Sequence, residues 1–202
     1  MKRLKPFVLV NTIALTLLLF YSTGSSQNEV PGETLARMDK LGQELATTNE
    51  KHAFLHCFVG EWETSTSVLG LPKEKGTATF KMILGGRFLD GISTGTIAGV
   101  PYVSRTTIGF DNFKKLFCST FIDDLGTSMR FAEGSLDESG TILSLTGTID
   151  HWMKGENDKP CLYRFKSIDA SHFSFEFFDL TKEINTPVIE TTFTRTLVHD
   201  EE

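Results

Sequence analysis

The apolar positions of this chain change their period once. Before Gly60 they recur at three- and four-residue steps, and after it they recur every second residue. Leu35, Met38, Leu41 and Leu45 therefore predict an amphipathic helix over 33–46. Asn49 is placed to cap a second short helix through Ala53, Phe54, Leu55 and Phe58. Both helices are expected to pack against the remainder or close one end of it. Alternation then takes over, as in Phe80-x-Met82-x-Leu84, Phe117-x-Ser119-x-Phe121 and Phe173-x-Phe175-x-Phe177. It predicts strands at 61–69, 75–84, 87–97, 102–110, 115–123, 127–136, 141–150, 161–168, 172–180 and 188–197. Turn signals separate them, among them Leu71-Pro72, Asp124-Leu125-Gly126 and the stretch from Gly155 to Pro160. Short strands with hairpin-length connections and no intervening helices predict an all-β, antiparallel up-and-down sheet. Closure would remove its exposed edges, so the expected fold is a barrel of about eight to ten strands behind one or two short N-terminal helices.

The block Ile83-Leu84-Gly85-Gly86-Arg87-Phe88-Leu89 stands out within this pattern. Two glycines suit the positive-φ positions of a type I′ turn, so Gly85-Gly86 reads as a two-residue hairpin. Arg87 would then lie near a barrel end.

Lys2, Arg3 and Lys5, an apolar run from Phe7 to Tyr21 and the small residues Ser22 to Ser26 form a signal-peptide pattern. The run is shorter than the roughly 20 residues a spanning helix needs, so no stable membrane span is expected after cleavage. The expected organisation is a signal peptide over 1–26, a leader and helix over 27–49, and a barrel over 50–198 in a periplasmic or secreted protein. A net charge of −6 offers no basic footprint for nucleic acid. Cys57, Cys118 and Cys161 allow one disulfide and a free thiol, or three buried small hydrophobes, and spacing does not choose a pair.

Gly60-Glu61-Trp62 at the start of the first strand and Thr194-Arg195 in the last resemble the signature of the calycin superfamily, which includes lipocalins. The resemblance implies that Arg195 packs across Trp62 in a structural cation–π contact near the closed end. A more specific resemblance is to the bacterial family known as domain of unknown function 1579. It rests on Gly60-x-Trp62, Ile83 to Leu89 with its Gly85-Gly86 pair, Gly109-Phe110-Asp111, Ile122-Asp123-Asp124-x-Gly126-Thr127 and Phe193-Thr194-Arg195. It spans about residues 50 to 198, lends a calycin-like fold, and implies no catalytic residue.

Candidate chemistry is sparse. His52 and His56 have helical metal-ligand spacing but no third ligand, and read as packing or surface residues; no metal is expected. Asp123-Asp124 and Asp111-Asn112 read as turn formers. Histidines at strand ends, His151 and His172, are poorly placed to hold haem, and no cofactor is expected. The aromatic balance is more telling: 17 Phe against 3 Tyr and 2 Trp fits either a filled core or an apolar cavity. We therefore assign candidate ligand-binding roles to Arg87, Arg130, Phe121, Phe131 and Phe175, and structural roles to Gly60, Trp62, Gly85, Gly86 and Arg195. The leading reading is a non-enzymatic barrel that binds a small apolar or amphipathic molecule in its lumen. The alternatives are an interaction module with a filled lumen, working as a homodimer, and an isomerase, cyclase or hydrolase with a site at the barrel mouth.

Overall fold

The computed structural model describes residues 31–182 and 186–196. The expected signal peptide lies outside the described residues. Helix α1 spans Pro31–Ala46, and its portion through Gly42 belongs to a unit of its own, while the rest of the chain forms the other.

In that second unit the short helix α2, Glu50–Phe54, begins at a complete capping box. The Asn49 side chain accepts from Lys51 N at 2.9 Å, and His52 Nδ1 accepts from Asn49 N at 3.1 Å. His52 is thus a buried structural residue, and its burial lowers its pKa, which suits the neutral, accepting ring. A 3₁₀ turn, Leu55–Phe58, follows and drives Leu55 and Phe58 into the core.

Ten antiparallel strands close into a barrel in sequential order. They are β1 (Gly60–Val68), β2 (Glu74–Ile83), β3 (Phe88–Ile97), β4 (Val100–Asp111), β5 (Leu116–Asp123), β6 (Arg130–Leu136), β7 (Ile142–His151), β8 (Glu156–Ser167), β9 (His172–Asp179) and β10 (Ile189–Arg195). Closure pairs β1 with β10, Trp62 standing opposite Arg195 and Val68 opposite Ile189. Every predicted strand is present, and two local details differ from expectation.

The Gly85-Gly86 connection is a four-residue loop, because Ile83 pairs with Phe88. Leu84, Gly85 and Gly86 have φ values of 51°, 69° and 79°, and both Gly86 N and Arg87 N donate to Ile83 O at 3.2 Å. Strand β8 starts five residues before its predicted 161, taking in Pro160. Pro160 is tolerated because its C=O accepts from Leu180 N, beyond the end of β9, so its missing N–H falls on the same side and away from β7.

The interior divides along the barrel axis. At the helix-bearing end Leu55, Phe58, Trp62, Phe80, Phe117, Leu143, Leu145, Phe173 and Phe193 fill the space. Phe173 stacks on Phe193 at 3.9 Å between centroids, and Trp62 meets Phe173 edge-on at 4.7 Å. Toward the opposite end the filling stops.

Candidate functional site

A cavity of about 280 Å³ occupies the barrel from its middle to the loop-bearing end. Its floor is Phe80, Phe165 and Phe193, and its rim includes Ile97, Ile149, Ile189 and Trp152. The two walls differ in chemistry. Strands β8 and β9 present only rings, Tyr163, Phe165, Phe175 and Phe177, whereas β3, β4 and β5 present Ser93, Ser104, Thr106 and Ser119 alongside Tyr102 and Phe121. In the ring order β4 and β9 are five strands apart in either direction, so an aromatic wall faces a hydroxyl wall across the lumen. On β1 and β10 Thr66 and Thr191 bond each other at 3.0 Å, but no such pair joins the four serine and threonine hydroxyls of β3 to β5 among the described residues.

Strand alternation decides which predicted residues reach this space. Arg130 and Ala132 point inward and Phe131 outward. Arg130 lies over the Phe121 ring at 5.0 Å and pairs with Asp123 at 3.1 Å, the guanidinium a third exposed and the carboxylate nearly buried. Phe121, Arg130 and Phe175 therefore line the cavity, while Phe131 borders it with its side chain 62% exposed. Arg87 stands at the other end of the barrel. Its Nε donates to Ala46 O at 2.8 Å and its Nη1 to Leu84 O at 3.0 Å, so it clamps chain and does not line the lumen.

Two further arginines have partners on the outer face. Arg105 bonds the buried Asp90 at 2.7 and 3.2 Å, and Arg164 pairs with Glu176 beneath the Phe178 ring. Asp123 Oδ1 also accepts from Leu125 N, the expected turn bond, whereas Asp124 Oδ1 accepts from Val103 N of β4 and so ties the loop to the neighbouring strand. Lys159 and Asp179 form a second ion pair at the loop-bearing end, at 3.3 Å.

Tyr163 is the residue that sequence reasoning missed. It is 8% exposed, and its hydroxyl is buried beside the Cys161 thiol with no oxygen or nitrogen partner. Burial pushes its pKa well above the usual phenol range, so it stays a donor. The signal was present in the Cys161-x-Tyr163-x-Phe165 alternation, which places the ring among inward residues. All three cysteines are free thiols; burial pushes Cys57 up to about 11. Among the described residues no group of three His, Cys, Asp or Glu side chains could hold a metal ion. No described helix is long and apolar enough to cross a membrane.

The family model described as "Protein of unknown function (DUF1579)" matches residues 47–195. No curated protein sequence matches the chain. Among solved structures, the chain is similar to a redesigned β-barrel, b11L5F_LGL, at 12% identity and a TM-score of 0.37, covering 71% of this chain and 95% of that one. It is also similar to the redesigned barrel mFAP1 bound to DFHBI, at 11% identity and a TM-score of 0.37, covering 70% and 97%.

Proposed function

Because this chain belongs to the DUF1579 family of proteins of unknown function, whose description names a fold's owner and no reaction, we propose its role from the barrel alone: it binds one small amphipathic molecule in its lumen. One observation carries the reading. The interior is packed at the helix-bearing end and left open at the other, with a cavity whose opposed walls are aromatic and hydroxylated. Its volume is near the lower bound of about 300 Å³ for small-molecule pockets. Apolar surface around the lumen favours transfer of a ligand out of water, and the facing hydroxyls orient it. At the mouth Arg130 is held by Asp123, and Asp150 accepts from Asp158 N at 3.1 Å, so each of these groups already has a structural partner, which favours binding over catalysis.

The test is titration with N-phenyl-1-naphthylamine, a neutral probe whose emission rises in apolar surroundings. Saturable one-to-one binding is expected, with quenching of Trp152 at the rim but not of the buried Trp62. A Thr106→Phe variant, which fills the lumen, should lose it. Equal binding by the filled and open barrels, with both folded by circular dichroism, would sink the proposal.

A further inference from the structure

We propose that the open end of the barrel docks on a lipid bilayer, with the mouth of the lumen facing the membrane. The up-and-down order puts the β1–β2, β3–β4, β5–β6, β7–β8 and β9–β10 connections at that end. Three of them each carry two exposed apolar side chains: Leu69 and Leu71, Leu125 and Met129, Trp152 and Met153. Trp152 is 84% exposed and Met153 75%, so both stand almost wholly in water. Apolar residues scattered singly over a surface need no explanation, but pairs on three hairpins around one opening do. At the opposite end the hairpins carry Leu84, Phe113 and Ile168 singly.

The shape and charge of this rim point to the occupant. Trp152 both borders the lumen and projects into water, so the apolar tips surround an aperture. A protein partner is held chiefly through a dry, packed centre. Here the centre is the mouth of a cavity, and a fluid acyl phase closes around separated tips without needing one. Exposed lysines adjoin the tips: Lys73 just after Leu71-Pro72, Lys154 beside Met153, and Lys182 on the β9–β10 connection. The carboxylates at that end are turned into the fold. Glu74 accepts from Gly99 N at 3.0 Å, Asp124 from Val103 N at 2.8 Å and Asp150 from Asp158 N at 3.1 Å. Asp179 and Glu156 each pair with Lys159 at 3.3 Å, and Asp123 holds Arg130. Apolar tips flanked by cations suit an anionic bilayer, where tryptophan settles at headgroup depth and lysine reaches the phosphates.

Continuity with the lumen gives the docking a use. An apolar ligand would pass from the acyl phase into the cavity without crossing water. Only that last step rests on the lumen as a ligand site; the docking itself does not.

The test titrates the full-length protein with vesicles of equal parts phosphatidylcholine and phosphatidylglycerol and reads tryptophan emission. Trp62 is buried, so a change reports Trp152. A saturable blue shift is expected, reached at lower lipid concentration than with phosphatidylcholine alone. Leu69→Ser combined with Leu71→Ser strips another hairpin and keeps Trp152, and should raise the lipid needed for half the shift about tenfold. Phe113→Ser, which removes an exposed ring at the opposite end, should leave it unchanged. All three positions are exposed, so the fold is retained, as circular dichroism checks. The apolar run from Phe7 to Tyr21 is common to all three proteins, so differences among them belong to the barrel. Absence of a shift overturns the inference, as do equal responses of the two variants or binding at least as tight to phosphatidylcholine alone. A shift that grows with protein concentration without lipid, together with a dimer in light scattering, overturns it in favour of a second copy of this chain. Binding of N-phenyl-1-naphthylamine is read without vesicles, so the lumen reading stands or falls separately.

Discussion

The guanidinium of Arg195 lies over the Trp62 indole, 4.1 Å from the ring centroid, and joins the two strands that close the barrel. It also donates to three backbone carbonyls: Nη1 to Val59 O at 2.7 Å, Nη2 to Cys57 O at 3.3 Å and Nε to Ala170 O at 2.8 Å. Trp62 in turn donates from Nε1 to Phe58 O at 2.9 Å. One pair thus ties the 3₁₀ turn, the first strand, the last strand and the β8–β9 loop. Gly60 has φ of 137°, and a side chain there would run into the Arg195 guanidinium, so both backbone and space require glycine.

Removing that cation should be costly. Arg195→Ala forfeits charged hydrogen bonds and the ring contact, and is expected to destabilise the barrel by about 2–4 kcal/mol in urea denaturation. Arg195→Lys should recover only part, because an ammonium cannot reproduce the fork. A change under about 0.5 kcal/mol for Arg195→Ala, the range of ordinary surface substitutions, would show that the contact does not hold the barrel's end.

Freeing Arg130 should change what the lumen accepts. Asp123→Asn keeps an oxygen for Leu125 N but leaves the guanidinium without its counter-charge. The expected result is binding of the anion 2-naphthoate tightened about five- to tenfold, in line with the roughly 1–1.4 kcal/mol of a charge-assisted contact. The neutral coumarin should hardly move. Calorimetry on the variant with both probes checks this, and unchanged naphthoate affinity would mean that Arg130 is not reachable from the lumen.

Arg87 should matter little to binding. Its bonds to Ala46 O and Leu84 O are exposed, so Arg87→Ala is expected to cost about 0.5–1.5 kcal/mol of stability. Probe affinities should stay at the wild-type level. A loss of binding in a folded Arg87→Ala variant would return this residue to the ligand site.

Acid should act on Asp179. The Thr181 hydroxyl, donating at 2.6 Å, is the largest influence that lowers its pKa to about 2, with Lys159 adding to it. A depressed carboxylate pKa contributes stability that is present above its unfolded value near 3.9 and is lost as pH falls through the folded value. Asp179→Asn should therefore destabilise the protein at pH 7, and its difference from wild type should shrink between about pH 4 and pH 2. Thermal midpoints of both proteins across that range measure it. A difference that stays constant with pH would locate the effect of the substitution outside the carboxylate's charge.

The strands were legible because alternation is a local property: Phe173-x-Phe175-x-Phe177 announces one buried face wherever the strand pairs. The candidate site was legible only in part. Phe121 and Phe175 reach the cavity because large apolar residues in alternation point inward. Ser104, Thr106 and Tyr163 escaped notice because polar residues in a strand ordinarily mark its outer face. Arg87 drew attention as a conspicuous cation beside two glycines, yet the four-residue loop turned it toward the Ala46 carbonyl.

Local patterning along the chain settles the inventory: ten strands, the helical entry, the turns, the glycine that Trp62 and Arg195 demand, and membership of a family through its spaced motifs. Orientation and encounter come from the folded barrel. Arg130 and Phe131 are neighbours in the chain, and register with β5, where Phe121 stands opposite Arg130, sends one into the lumen and the other out. Asp123 meets Arg130 across a turn, and the hydroxyls of β4 face the rings of β9 because ten strands close upon themselves. Period-two patterning records which residues share a face, but a face becomes an inside only when the sheet closes, and closure depends on pairings such as Trp62 with Arg195 that lie far apart in the chain.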